Sequence, residues 1–328
     1  MLGRYNVTNS MDRRDLLKGA AALAGAWAMG GASATKQGAA PASRTAEETG
    51  VTSYAFGLRT WVRVEGRVFT CYRADGTQKY PYFYPVIGPA SGLPLTDETA
   101  LPWPHHRSLF LGCDRVNGGN YWQASLSEGR IASRGPSVEK TENDRAVIVN
   151  HCDWHKPGQP PIMEDARRFT ITAPTPHRRI IDADITLTAK VDIHITKTNH
   201  SFFSLRAARD LAPLGGGTLV NAKGQIGEKE TFGQTAPWCG YYGTRLGVTE
   251  SIVLMDHPDN PFPRSPWFTR DYGFISPTPF YWLDEQGWRL PAGRSVRVRY
   301  RAVASKGKIV ADEMNRLHEE WVATAAPR

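Results

Sequence analysis

From Ile181 to Ile193 every odd position is apolar: Ile181, Ala183, Ile185, Leu187, Ala189, Val191 and Ile193. Every even position from Asp182 to His194 is polar: Asp182, Asp184, Thr186, Thr188, Lys190, Asp192 and His194. A period of two belongs to a strand with one buried face, and no helix can satisfy it. A strand of that length, or two joined by a bend, cannot stand alone. It requires neighbours in a sheet and a second layer to cover its apolar side.

The same reading predicts strands over Thr60–Tyr72 (with Gly66 as a bulge or turn), Ser108–Cys113, Tyr121–Ser133, Ala146–Trp154, Arg168–Ala173, Phe202–Ala208, Ser251–Met255 and Ser295–Ala304. Clusters of Gly, Pro, Asn and Asp separate them. Only Lys308–Ala323 has helical spacing, through Ile309, Met314, Leu317 and Trp321, with charges on its other side. There is no internal repeat, no alternation of strands with helices and no Gly-rich nucleotide loop. The expected fold class is all-β: two large antiparallel sheets packed face to face as a sandwich, with a C-terminal helix.

The first 34 residues read as an address rather than a fold. Arg13-Arg14-Asp15-Leu16-Leu17-Lys18 has the twin-arginine pattern, a weakly apolar stretch follows to Gly31, and Ala32-Ser33-Ala34 offers a cleavage site. Residues 35–50 read as a disordered spacer and 51–328 as one β-sandwich domain, acting in the periplasm. Without the signal, 36 basic residues face 30 acidic ones, a net charge of +6 spread without Lys or Arg runs. That distribution excludes nucleic-acid recognition. The four cysteines, Cys71, Cys113, Cys152 and Cys239, lack C-x-x-C spacing. They read first as buried free thiols, although an exported protein permits disulfides.

Chemistry-bearing residues concentrate in two segments. Asp256-His257-Pro258 leads through four prolines to Trp267-Phe268-Thr269-Arg270-Asp271-Tyr272-Gly273. The prolines forbid a helix or central strand there, so the segment reads as a functional loop. Its plain alternative is a surface loop whose aromatics cap the core. The other segment, Pro104-His105-His106-Arg107-Ser108-Leu109, precedes a short apolar run and Val116-Asn117-Gly118-Gly119-Asn120-Tyr121-Trp122. With Thr196-Lys197-Thr198, Phe203-Ser204-Leu205-Arg206, Gly224, Gly227-Glu228-Lys229 and Trp238 between them, these motifs resemble a bacterial family labelled PmoA, a name meaning methane oxygenase subunit. The resemblance runs from about Tyr80 to Phe280. The label fails a physical test: such a subunit is an integral membrane protein, and no run of about 20 apolar residues follows the N-terminus. Mean hydropathy is −0.42. Tyr84-Pro85-Val86-Ile87-Gly88-Pro89 before the histidine pair, and Leu290-Pro291-Ala292-Gly293 before the last strand, resemble the galactose-mutarotase-like supersandwich in their order.

The candidate catalytic residues are His105, His106, Asp256, His257, Arg270 and Tyr272. Imidazoles near neutral pKa move protons, with Asp256 or Glu228 as the carboxylate for His257, and Arg206, Arg270 and Lys197 can hold an anion. Asn117, Trp122, Lys197, Arg206, Glu228, Trp238 and Trp267 are candidate substrate contacts, the indoles for stacking on sugar faces. His151, Asp153 and His155 share one strand face with metal-like spacing. The turn Lys156-Pro157-Gly158 makes a solvated strand end the better reading, and neither a metal nor another cofactor is expected. No serine-hydrolase elbow or H-E-x-x-H motif is present. These residues point to a carbohydrate-active enzyme using imidazole and carboxylate acid–base chemistry for hydrolysis, elimination or epimerisation. A non-catalytic sugar-binding protein, or a metal-dependent oxidoreductase built on His105, His106 and His257, are the alternatives. The histidine pair and the Asp256–Tyr272 segment are expected to converge on one groove.

Overall fold

In a computed structural model, residues 49–123, 125–262 and 265–324 are described. The signal (1–34) and almost all of the spacer (35–50) lie outside them. Two large antiparallel sheets dominate. The first runs, in spatial order, β1 (Val51–Phe56), β2 (Arg59–Val64), β3 (Arg67–Arg73), β4 (Tyr82–Val86), β5 (Leu109–Cys113), β12 (Ser201–Arg206), β17 (Phe274–Pro277) and β16 (Trp267–Arg270). The second runs β13 (Thr218–Asn221), β14 (Trp238–Arg245), β15 (Val248–Asp256), β19 (Ser295–Lys306), β10 (Arg178–Ala189), β9 (Met163–Thr175), β8 (Arg145–His155) and β6 (Arg130–Ser133), with β7 (Ser137–Glu139) also on β8. A separate ribbon pairs β11 (Ile193–Ile195) with β18 (Trp288–Leu290). The helices are short α1 (Gly227–Thr231) and C-terminal α2 (Ala311–Ala323). The all-β sandwich with a C-terminal helix is the expected class.

The two sheets meet through their apolar faces. Phe203 of β12 stacks on Tyr300 of β19 with ring centroids 5.0 Å apart. Tyr72 and Phe83 of the first sheet close on Phe169 of the second at 5.1 and 4.8 Å. The periodic segment breaks at a bend into β10 and β11. Ile181, Ala183, Ile185, Leu187 and Ala189 of β10 are buried. On its outer side Asp182 pairs with Arg301, and Asp184 with Arg297, across to β19. Helix α2 covers the outer face of this second sheet, where Met314 and Trp321 pack on Ile180, Trp238, Val253, Met255 and Val303.

Two expectations about elements need correction. Tyr121–Ser133 is not one strand. The Asn120 side-chain oxygen accepts the amides of Trp122 and Gln123, a 3₁₀ turn follows at Leu126–Glu128, and pairing resumes only at Arg130. Thr60–Tyr72 turns at Glu65-Gly66, the turn expected at Gly66, and so forms a hairpin. β9 begins five residues before Arg168, because its inward face accepts an ion pair. Arg167 and Asp165, both buried, bond at 2.6 and 2.8 Å, and Trp154 Nε1 donates to the same carboxylate at 2.7 Å. The four cysteines are buried free thiols. No described helix is long and apolar enough to cross a membrane.

Candidate functional site

Register builds the site. β5 and β12 pair with Ser201 opposite Cys113, so Asp114, just after β5, and His200, just before β12, emerge side by side. The Asp114 amide donates to the His200 carbonyl at 3.0 Å. Their side chains then meet: His200 Nδ1 lies 3.1 Å from Asp114 Oδ2. The Thr198 hydroxyl donates to the other oxygen of that carboxylate. A carboxylate held in place against one ring nitrogen sets the tautomer and orients the other nitrogen for proton transfer. Among the described residues nothing hydrogen-bonds His200 Nε2, and the side chain retains 22% of its exposure, so a substrate can reach it.

Strand alternation supplies the rest. Phe203 points into the sandwich, so Ser204 and Arg206 point out of it. Phe274 lies opposite Arg206 in register and shares that outer face. His106 stacks on Phe274 at 4.1 Å, and its ring also faces Tyr272 (6.2 Å) and Trp122 (6.4 Å). His105 lies 5.9 Å from His200, and Trp122 5.4 Å from it. The Tyr272 ring, at the tip of the turn joining β16 to β17, covers the Arg206 guanidinium at 4.7 Å. Beside it Arg270 pairs with Glu228 at 2.9 Å, and the Glu228 and Asp271 amides donate to each other's carboxylates.

Four polar atoms on this face are buried without a partner: His106 Nδ1, Trp122 Nε1, and Nε and Nη1 of Arg206; the Ser204 hydroxyl is a fifth. Buried polar groups are normally satisfied, so such a cluster marks a place made for a polar ligand or ordered water. Electrostatics assigns roles. Burial, then His105 and Arg206, pushes His106 down to about 2; burial, then His200 and Arg206, pushes His105 down to about 4. Both imidazoles are neutral at neutral pH, and His106 is too weak a base to hold a proton. Burial lowers Arg206, yet a guanidinium stays charged. Burial raises the Tyr272 phenol, opposed by Arg270 and Arg206.

Of the residues expected from sequence, His105, His106, Trp122, Arg206 and Tyr272 come together, and Arg270 and Glu228 adjoin them. Lys197 is exposed at the rim, its ammonium 6.0 Å from the centre of the Tyr281 ring. Asn117 instead clasps the β11 segment, donating to the Asp192 carbonyl and accepting the His194 amide. Trp267 is core, with Nε1 donating to the Ala236 carbonyl, and Trp238 lies under α2, with Nε1 donating to Asn315. Neither can stack on a sugar.

His257 is separated from the histidine pair. It continues the outward parity of Met255 and packs edge-on against Trp321 of α2 at 4.8 Å, on the outer side of the second sheet. The pair lies on the outer side of the first, so the sandwich stands between them. Asp256 accepts Asn260 Nδ2 at 2.6 Å and shapes that turn. The expected single groove therefore does not form, and the set His105, His106 and His257 cannot share a metal. Among the described residues no group of three or more His, Cys, Asp or Glu is placed to hold one. Asp153 pairs with Arg134 at the surface. Sequence reasoning missed Asp114, His200 and Trp103, whose exposed ring lies 6.0 Å from His105. A His and an Asp at adjoining strand ends are visible only once the pairing of β5 with β12 is known.

Fold and site define an all-β sandwich protein with a histidine–arginine site on the outer face of one sheet. The chain belongs to the DUF6807 family, a family of unknown function, whose profile matches residues 59–319. The methane-oxygenase label finds no support in that match. No curated protein matches the sequence. Among solved structures, a putative aldose 1-epimerase from Escherichia coli K12 is similar at 12% identity and a TM-score of 0.33, over 79% of this chain and 99% of that one. A homologue of GalM/aldose epimerase from C. elegans is similar at 9% identity and a TM-score of 0.30, over 80% and 97%. A polysaccharide lyase is similar at 12% identity and a TM-score of 0.34, over 76% of this chain and 34% of the lyase.

Proposed function

We propose that this protein is a carbohydrate-active enzyme, exported by the twin-arginine route to the periplasm, in which His200 moves a proton at a sugar carbon or ring oxygen. Asp114 holds and orients the imidazole, Arg206 and Tyr272 stabilise negative charge on the substrate, and His105 and His106 contact it as neutral groups. The observation that carries this reading is the Asp114–His200 couple beside a cluster of buried, unpartnered donors and ring nitrogens.

The carboxylates favour proton transfer over glycoside hydrolysis. Hydrolysis ordinarily uses two carboxyl groups flanking the bond. Here Asp114 is committed to His200 and Thr198, and Glu228 to Arg270 and the Asp271 amide. Epimerisation, mutarotation and elimination need only a base, an acid and a charge stabiliser. A purely binding protein is disfavoured because Trp238 and Trp267 are structural.

The test is a proton NMR time course in deuterated water over neutral and acidic sugars. It follows anomer exchange, loss of C–H signal and new vinylic protons. Turnover by the wild type that falls about 10² to 10⁴-fold in His200→Asn supports the reading. An unchanged rate in that variant, or no change of any sugar by the wild type, removes it.

A further inference from the structure

We propose that the sugar this site takes is an acid sugar, a uronate or its close relative, whose carboxylate lies along the Nε–Nη2 edge of Arg206. The inference rests on the reading of the site as carbohydrate-directed and adds the substrate class.

Arg206 is 3% exposed. Its Nε and Nη1 are buried without a partner. Nε–H points the same way as Nη2, the edge Arg167 and Arg301 lay on their aspartates, and among the described residues nothing hydrogen-bonds Nη2 of Arg206 either. A buried cation with that edge open is expensive unless an anion meets it. Among the described residues no carboxylate does so. Asp97 acts on Arg206 by charge, but its carboxylate makes no hydrogen bond to the guanidinium and accepts the Arg209 amide instead; only its backbone amide meets Arg206, at the carbonyl. Two parallel N–H groups match the two oxygens of a planar carboxylate, the geometry that distinguishes Arg from a point charge.

The surroundings narrow the class. The Tyr272 ring covers the guanidinium on one side, 4.7 Å from its centre, and leaves room in the guanidinium plane for a flat anion such as a carboxylate. His105 and His106 are neutral, so the centre of the site presents one positive charge, suited to a monoanion. His106 Nδ1, Trp122 Nε1 and the Ser204 hydroxyl lie on the same face, each buried without a hydrogen-bond partner. The cover is a single side chain on a three-residue turn at the sheet edge, so Tyr272 can turn aside to admit the ligand.

Isothermal titration of the full chain with D-glucuronate, D-galacturonate, their methyl esters, D-glucose and glucose 6-sulfate tests this without any variant. Acid and ester differ only in the charge that Arg206 would read. At least one acid should bind about tenfold or more tighter than its ester, the worth of a charged hydrogen bond. Arg206→Met should abolish that preference, and Arg206→Lys should lose most of it, each checked for folding by its melting temperature. Equal affinity for ester and acid, no binding of either acid at millimolar concentration, or a tighter hold on the sulfate overturns the proposal. His200→Asn separates the two readings. Acid preference without any His200-dependent turnover leaves this inference standing and removes the acid–base role. His200-dependent turnover of neutral sugars without acid preference does the reverse.

Discussion

Replacing His257 by Gln asks whether this histidine builds the fold or the chemistry, and the structure sets the size of the answer. The ring is 1% exposed and meets Trp321 edge to face at 84°, a contact worth about 1 kcal/mol beyond its burial. Its Nδ1 accepts the Asp259 amide at 3.1 Å, worth about 1 kcal/mol more. Losing both should destabilise the protein by about 2 kcal/mol at pH 7, or about 5 °C in melting temperature for a chain of this size. Acid should erase the difference. Burial, then Arg299, holds His257 down to about 4 from an ordinary 6.5. Between those values the unfolded chain binds the proton and the folded one does not. The wild type is therefore at full stability above pH 6.5 and loses about 3 kcal/mol as pH falls to 4. Gln carries no such loss, so the two stability curves should cross near pH 5. His105 and His106 titrate in both proteins and cancel in the comparison. Urea unfolding followed by tryptophan fluorescence at pH 7 and pH 5, with turnover measured beside it, decides. A variant as stable as wild type at pH 7 but with reduced turnover would refute the structural assignment. A stability gap that does not narrow in acid would refute the electrostatic one.

Asp114→Asn should lower turnover by about 10² to 10⁴ and shift its pH profile, with the melting temperature little moved, because the residue sits at a strand end; a profile identical to wild type would rule out the couple. Asp165→Ala should destabilise by about 3–5 kcal/mol by stranding Arg167 between the sheets, whereas a combined Asp165→Leu, Arg167→Met replacement should recover most of that; denaturant midpoints give the comparison. All four thiols are buried, and burial pushes Cys71 up to about 11 and raises the other three well above the ordinary thiol value. A thiol reagent should therefore count four cysteines in denaturant and almost none in the native protein. A native count of two or more would contradict that burial.

The class of fold was legible because burial on one face of a strand imposes a period that survives in the chain itself. Ile181–Ala189 displays it without exception, and Met314, Leu317 and Trp321 announce α2 in the same way. The period fades where a strand does something besides cover a core. β14 carries Gly240 and Gly243, since an added Cβ would strike Ile252 and Val253 at one and the Asp210 carbonyl at the other. β9 hides an ion pair on its inner face, so its first residues look like surface. The site divides along the same line. His105, His106, Arg206 and Tyr272 stood out because their chemistry is carried by the side chain alone, and local sequence suffices to notice it. Whether such groups meet depends on which strands pair, in what register and on which side of the sandwich they emerge. Pairing β5 with β12 joined Asp114 to His200 across more than eighty residues, and outward parity on the opposite sheet carried His257 away under α2. Those choices are made by contacts distant in the chain, and a linear pattern does not hold them.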